Sequence, residues 1–177
     1  VELERAIPDL CWVGENSYTT ERITKGYAHG LLAQIALQRA GWAIRESQKD
    51  GYETATENSD PTYPTQRPGA AERTKYYQLA QTHLNEIISK GIHQLNPSYE
   101  NEWYLINQNK LDDKYYENLF EVALGVNRSG ELGYTIGVRI NGSSSRYGKK
   151  GNSSGKVKMT APLFWSYDHK DQRRDIT

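Results

Sequence analysis

The sequence predicts a mainly α protein built on an antiparallel pair of helices, with a small β-hairpin toward its C-terminal third. Three observations carry this reading. Two long apolar stripes recur at helical period, a proline-containing polar stretch separates them, and one later segment alternates apolar and polar residues.

Leu3, Ile7 and Leu10 fit one face of a short opening helix, which Gly14-Glu15-Asn16-Ser17 breaks. The first long stripe follows. Ile23, Tyr27, Leu31 and Ile35 step by four, with Ala28, Leu32, Ala36 and Ala40 beside them. Thr24 suits the N-cap, since its hydroxyl can accept an orphan backbone N–H. Ala33, Ala36 and Ala40 are small enough to let a neighbouring helix approach closely. Residues 49–69 turn polar, with Pro61, Pro64 and Pro68, and read as a long loop of the kind that is often functional. The second stripe runs through Tyr76, Ala80, Leu84 and Ile88, widened by Tyr77 and Ile87. Pro68 stands before it and Gly91 just past its end. Two helices, each apolar on one side, pack most simply as an antiparallel hairpin over 24–41 and 70–90, with the 49–69 excursion at the tip. Tyr99, Trp103 and Ile106 mark a weaker helix. Residues 119–124 and 134–140 read as strands pairing through a turn at 127–133, with Ile136, Val138 and Ile140 on one side. Residues 141–156 are a Gly/Ser-rich basic loop, and a charged run follows Trp165 and Tyr167.

Composition excludes several classes of function. Lys and Arg number 22 and so do Asp and Glu, which argues against an electrostatic nucleic-acid binder. No stretch of about 20 apolar residues is present to span a bilayer. A single cysteine, Cys11, permits no internal disulfide. Neither an apolar export segment at the start nor a lipid-attachment signal before Cys11 is visible, so a targeting end, if the protein is exported, lies outside this chain. Leu, Ile, Val and Phe number only 33 of 177 residues, a thin core for this length.

Phosphate-loop and serine-hydrolase motifs are absent. The four histidines, at 29, 83, 93 and 169, make no metal-ligand spacing with each other or with Cys11. No metal or other cofactor is expected. Asp112, Asp113, Glu117 and Glu121 cluster, as do Asp168, Asp171 and Asp175. A glycosidase would need two such groups about 5–10 Å apart across a cleft. Lys170, Arg173 and Arg174 interleave the second cluster, which reads better as ion pairs. The aromatics say more. Tyr outnumbers Phe 13 to 2, so many rings need a wet hydroxyl end. Loop tyrosines at 52, 63, 134 and 147, near Arg139, Asn141 and Arg146, suit sugars, whose C–H faces stack on rings while polar groups fork onto hydroxyls. They suit equally a thin helical core capped by Tyr. Arg146, Lys149, Lys150 and Lys156 form either a patch for anions or a solvated loop tip.

The order of these pieces resembles the SusD/RagB family. Arg22-Ile23-Thr24-Lys25-Gly26-Tyr27-Ala28 with Leu31 to Leu37 is similar to the entry of a family helix, and Tyr76-Tyr77 through Ile87-Ile88 and Gly91 to the next. His93 to Glu100, Asn118-Leu119-Phe120-Glu121-Val122 and Tyr167-Asp168 with Asp171-Gln172-Arg173-Arg174-Asp175 follow in the family's order. The resemblance covers nearly the whole chain. It implies a tetratricopeptide-like scaffold of antiparallel helix pairs in a surface lipoprotein of Bacteroidetes-type bacteria. Such proteins bind glycans or peptides without chemistry and lid a SusC-like TonB-dependent transporter at the extracellular face of the outer membrane. The chain would be a central slice, its lipid anchor and C-terminal portion lying beyond it. Residues 1–125 would be helical repeats, and 126–177 a loop-rich hairpin and the start of the C-terminal region. No binding residue is carried over from the family.

These readings lead to a non-catalytic binding protein for oligosaccharides. A protein- or peptide-interaction scaffold is the alternative, and a glycoside hydrolase a further one. The expected ligand site is the 126–156 region, through Tyr134, Arg139, Asn141, Arg146 and Tyr147. Ordering a mobile loop costs free energy, so weak binding is expected there. Tyr52 and Tyr63 in the 49–69 excursion stand next in line.

Overall fold

The computed structural model of the chain describes residues 2–57, 59–123, 131–136, 139, 141–143, 145 and 153–176. It is mainly α-helical, with one small three-stranded sheet. The chain divides into two compact units, Val1–Asn96 with Leu111–Glu121, and Pro97–Lys110 with Val122–Thr177. No helix among the described residues is long and apolar enough to cross a membrane.

The first unit opens with helix α1 (Glu2–Ala6), which tightens into a 3-10 turn over Ile7–Asp9. Trp12 and Val13 behind it are buried. Helix α2 (Lys25–Ala40) starts where expected, Thr24 Oγ1 accepting the Tyr27 N–H at 3.2 Å. Helix α3 (Ala70–Lys90) ends on Gly91 in the left-handed conformation, φ 69°, which costs glycine nothing. The two helices are antiparallel: Gly30 lies by Ile87 near one end, and Arg39 reaches Tyr76 near the other. Ala33 and Ala36 of α2 meet Ala80 of α3, with Tyr76 and Leu79 packed against them.

The structure buries one side of each wide stripe read off the sequence and leaves the other side out. On α2 the alanine side is inside, with Ala28, Leu32, Ala33, Ala36 and Ala40 buried, while Ile35 is exposed. On α3 the inward row is Tyr76, Ala80, His83 and Ile87; Tyr77, Leu84 and Ile88 face out. Close approach of two backbones favours small side chains at the seam, and that displaces the large ones to its flanks.

The 49–69 excursion is not a bare loop. Strands β1 (Ala43–Ile44), β2 (Tyr52–Thr54) and β3 (Thr65–Pro68) form an antiparallel sheet in the order β1-β3-β2. Ala43 pairs with Gln66 and Glu53 with Arg67. Gln66 is fully buried, its Oε1 accepting from Lys49 N at 2.9 Å and its Nε2 donating to Ser47 O at 2.9 Å. A polar segment thus folds around an amide in place of an apolar core. Gly51, at φ 75°, makes the turn into β2, and its carbonyl accepts from Gly69 N at 3.0 Å.

The expected β-hairpin over 119–140 is overturned. No strand is formed over residues 119–123, and Glu131–Ile136 form helix α5, the fifth in chain order. Leu119 seats against Gly30 and Phe120 stacks on Tyr27 at 4.6 Å. The backbone of Glu121 donates to Thr20 O at 2.9 Å. Leu119 and Phe120 are therefore explained by packing on α2 rather than by strand pairing. Residues 137, 138 and 140 of the expected second strand lie outside the described residues.

In the second unit, helix α4 (Tyr99–Asn107) is capped by Ser98, whose Oγ accepts from Asn101 N at 3.1 Å. Tyr99 and Trp103 meet edge to face. Helix α6 (Ala161–Ser166) carries Thr160 as its cap and Pro162 in its first turn, and helix α7 (Arg173–Ile176) closes the chain.

Candidate functional site

The sheet between α2 and α3 gathers aromatic and cationic side chains on a short, hydrogen-bonded frame. Trp42 lies one residue before β1, 47% exposed. The Ala43–Gln66 register brings it beside β3, and the Arg67 guanidinium lies 4.6 Å from the centroid of its ring. Arg67 is held in turn. Its Nε donates to Glu53 Oε2 at 2.7 Å, and the other carboxylate oxygen takes Arg73 at 2.7 Å. Hydrogen bonds from Arg73 and Arg67, in that order, keep the Glu53 carboxyl below the ordinary carboxylate value. Arg73 also donates to Pro68 O at 2.7 Å. The indole is thus backed by an ordered row, Arg67–Glu53–Arg73, fixed to β2, β3 and α3.

Tyr52, first residue of β2, has Arg45 at 4.9 Å and Lys49 at 4.6 Å from its ring centroid, and its hydroxyl accepts from Lys49 Nζ at 3.3 Å. The turn over residues 44–49, pinned by Gln66, lines a surface cavity of about 350 Å³ with Ile44, Arg45, Ser47 and Lys49 among its walls. Tyr63 is exposed on the turn before β3. What this arrangement offers chemically is a half-exposed indole beside Arg67 and, apart from it, a shallow cavity walled by Arg45, Glu46 and Lys49.

The residues expected to bind ligand are distributed differently. Tyr134 sits on α5, half-exposed. Its carbonyl accepts from Ser153 Oγ at 2.7 Å and Ser154 N at 2.8 Å. Arg139 and Asn141 are exposed, and Arg146 and Tyr147 lie outside the described residues. Of the carboxylates, Asp112 is buried and caps a turn, Oδ1 accepting from Tyr115 N at 2.9 Å and Lys114 N at 3.1 Å. Glu117 accepts from Asn96 N at 2.7 Å, and Glu121 from Thr20 Oγ1 at 3.1 Å. Asp171 pairs with Arg173 and Asp175 with Arg174, each arginine holding its partner's carboxyl below the ordinary value.

Trp42, Arg67 and Gln66 were not legible as a group, because strands of two to four residues carry too little periodicity. The one usable signal is the flanking of 49–69 by Trp42-Ala43-Ile44 and Thr65-Gln66-Arg67. The histidines also come together. His29 of α2 and His83 of α3 face each other, Nδ1 to Nδ1 at 2.8 Å, and Trp12 stacks on His29 with centroids 5.9 Å apart. His93 flanks Trp12 at 6.5 Å. No group of three or more metal-ligating side chains is formed among the described residues. Comparisons with protein-family models, with curated proteins and with solved structures find no match.

Proposed function

We propose that this chain is the helical scaffold of a SusD/RagB-type surface protein that captures oligosaccharides non-catalytically for a TonB-dependent outer-membrane transporter. In this reading α2 and α3 are one tetratricopeptide-like pair, and the excursion between them carries a sugar site. The observation that supports it is Trp42, an indole half open to solvent and held from behind by Arg67. Sugar rings stack their C–H faces on such surfaces, while cationic and backbone groups nearby fix hydroxyl orientation. A site on paired strands avoids the ordering cost that a loop imposes. That argues for the sheet ahead of the 126–156 region.

Affinity electrophoresis against a panel of neutral and acidic polysaccharides tests the reading. Retardation is expected, with Trp42→Ala abolishing it and Tyr134→Ala leaving it. Loss in Tyr134→Ala with binding intact in Trp42→Ala would move the site to the 126–156 region. No retardation by any polysaccharide would sink the sugar reading. A protein-interaction scaffold is favoured by a separate observation, a groove of about 480 Å³ between Leu37 of α2 and Tyr77, Leu84 and Ile88 of α3. Peptide retention without glycan binding would select it. Turnover of a glycoside, lost on substitution of Asp112, Asp113, Asp168 or Asp171, would instead indicate a hydrolase.

A further inference from the structure

We propose that His29 and His83 form a proton-operated clasp. Sharing at most one added proton, the two imidazoles tie α2 to α3 and seat Trp12; a second proton parts them and frees Trp12.

The geometry requires this behaviour. Two Nδ1 atoms 2.8 Å apart are hydrogen-bonded only if one ring carries the proton and the other offers its lone pair. A first added proton preserves that arrangement and makes the bond charge-assisted. A second leaves two N–H groups and two like charges face to face, with no acceptor. His29 has little room to turn away. It is 8% exposed, lies on the inward face of α2, and is covered by Trp12 at an interplanar angle of 16°.

The surroundings of the pair mostly oppose charging. Burial is the main influence holding His29 below the ordinary histidine value, followed by His83; Lys25, one turn earlier on α2, acts in the same direction more weakly, and Glu86 of α3 opposes them. Around Trp12, Lys90 of α3 places Nζ 5.5 Å from the ring centroid, and Glu15 accepts the Trp12 backbone N–H at 2.9 Å. His93 stands on another side. Its Nδ1 bonds Tyr116 O at 2.6 Å, and its Nε2 is buried against Gly26 without a hydrogen-bond partner. The clasp sits at the end of the helix pair remote from the sheet, since Arg39 and Tyr76 join the helices at the other end. Acid should therefore loosen the Trp12 end and spare the sheet.

Fluorine NMR of the full chain labelled with 5-fluorotryptophan tests this, with the Trp12 signal identified by its loss in Trp12→Phe. On acidification the Trp12 signal is expected to pass through a transition below about pH 6.5, while the Trp42 signal and the far-UV helix signal hold. His83→Gln, at a half-exposed position, should keep the fold and abolish the transition; His93→Gln should retain it. His29→Gln should behave as His83→Gln, and if it fails to fold, His83→Gln decides alone. A Trp12 signal indifferent to pH overturns the clasp. So does a transition that survives His83→Gln or disappears with His93→Gln. Movement of the Trp42 and helix signals together with Trp12 overturns it as well, because that is global acid unfolding.

Discussion

Thr24 and Gly30 show how much single residues settle here. Thr24 is fully buried and its hydroxyl satisfies the Tyr27 N–H at the start of α2. Thr24→Ala removes that acceptor and is expected to cost about 1 kcal/mol, read as a lower denaturant midpoint at unchanged slope. Gly30 has a different role. A Cβ there would come within 2.6 Å of Leu119 Cδ1, so Gly30→Val should expel Leu119 from α2 and disturb the Tyr27–Phe120 stack beside it. The loss is expected in the 1–3 kcal/mol range typical of overpacking, measurable by chemical denaturation. Both residues sit in the segment whose spacing marks a helix, and the cap was legible because a hydroxyl before a periodic run has few other uses. The demand for glycine at 30 was not legible, because Leu119 is distant in sequence.

At the scale of elements, the helix pair and the sheet are held by different means. The α2–α3 seam is closest at Ala33, Ala36 and Ala80, and Ala36→Leu should force the helices apart at a cost of about 1–3 kcal/mol. Ile88 looks like core by its spacing but is 73% exposed. Ile88→Lys should therefore change stability by less than about 0.5 kcal/mol; a loss comparable with Ala36→Leu would show that this face is buried in solution. The sheet depends on Gln66, whose amide satisfies two backbone groups of the 47–49 turn. Gln66→Leu fills the space but leaves Lys49 N and Ser47 O unpaired. It is expected to cost about 1–3 kcal/mol and to raise hydrogen exchange over 43–54 selectively. If Trp42 is the sugar platform, the same substitution should weaken polysaccharide retardation without unfolding α2.

For the whole molecule, the pH dependence of stability includes two groups of the first unit held away from their ordinary values. Burial keeps folded His29 below about 6.5, so on acidification the unfolded chain takes up its proton first. The His29 contribution is complete above about pH 6.5 and is lost as pH falls from there toward the folded value. Glu53, held low by Arg73 and Arg67, contributes above the ordinary carboxylate value and loses that contribution as pH falls through its folded value. Thermal midpoints should therefore decline in two stages on acidification. His83→Gln should change only the first stage and Glu53→Gln only the second; a single stage unaffected by either substitution would contradict the assignment.

By itself the sequence determined the two long helices, their ends and their antiparallel hairpin, because period, cap and terminal glycine act within a few residues of one another. It determined the weaker helix from Tyr99 as well, and the pairing of Asp171 and Asp175 with the arginines between and beside them. The alanines at 33, 36 and 40 marked the seam side of α2, but only the tertiary structure decided that Ile35, Leu84 and Ile88 stay outside, since that depends on how closely the partner backbone approaches. The same holds for Leu119 and Phe120, apolar because α2 lies against them. It holds for 134–136 as well, read from alternation as the start of a strand and found in helix α5. The meeting of His29 with His83, and of Trp42 with Arg67, rests on chain reversals of 54 and 25 residues that no local pattern encodes.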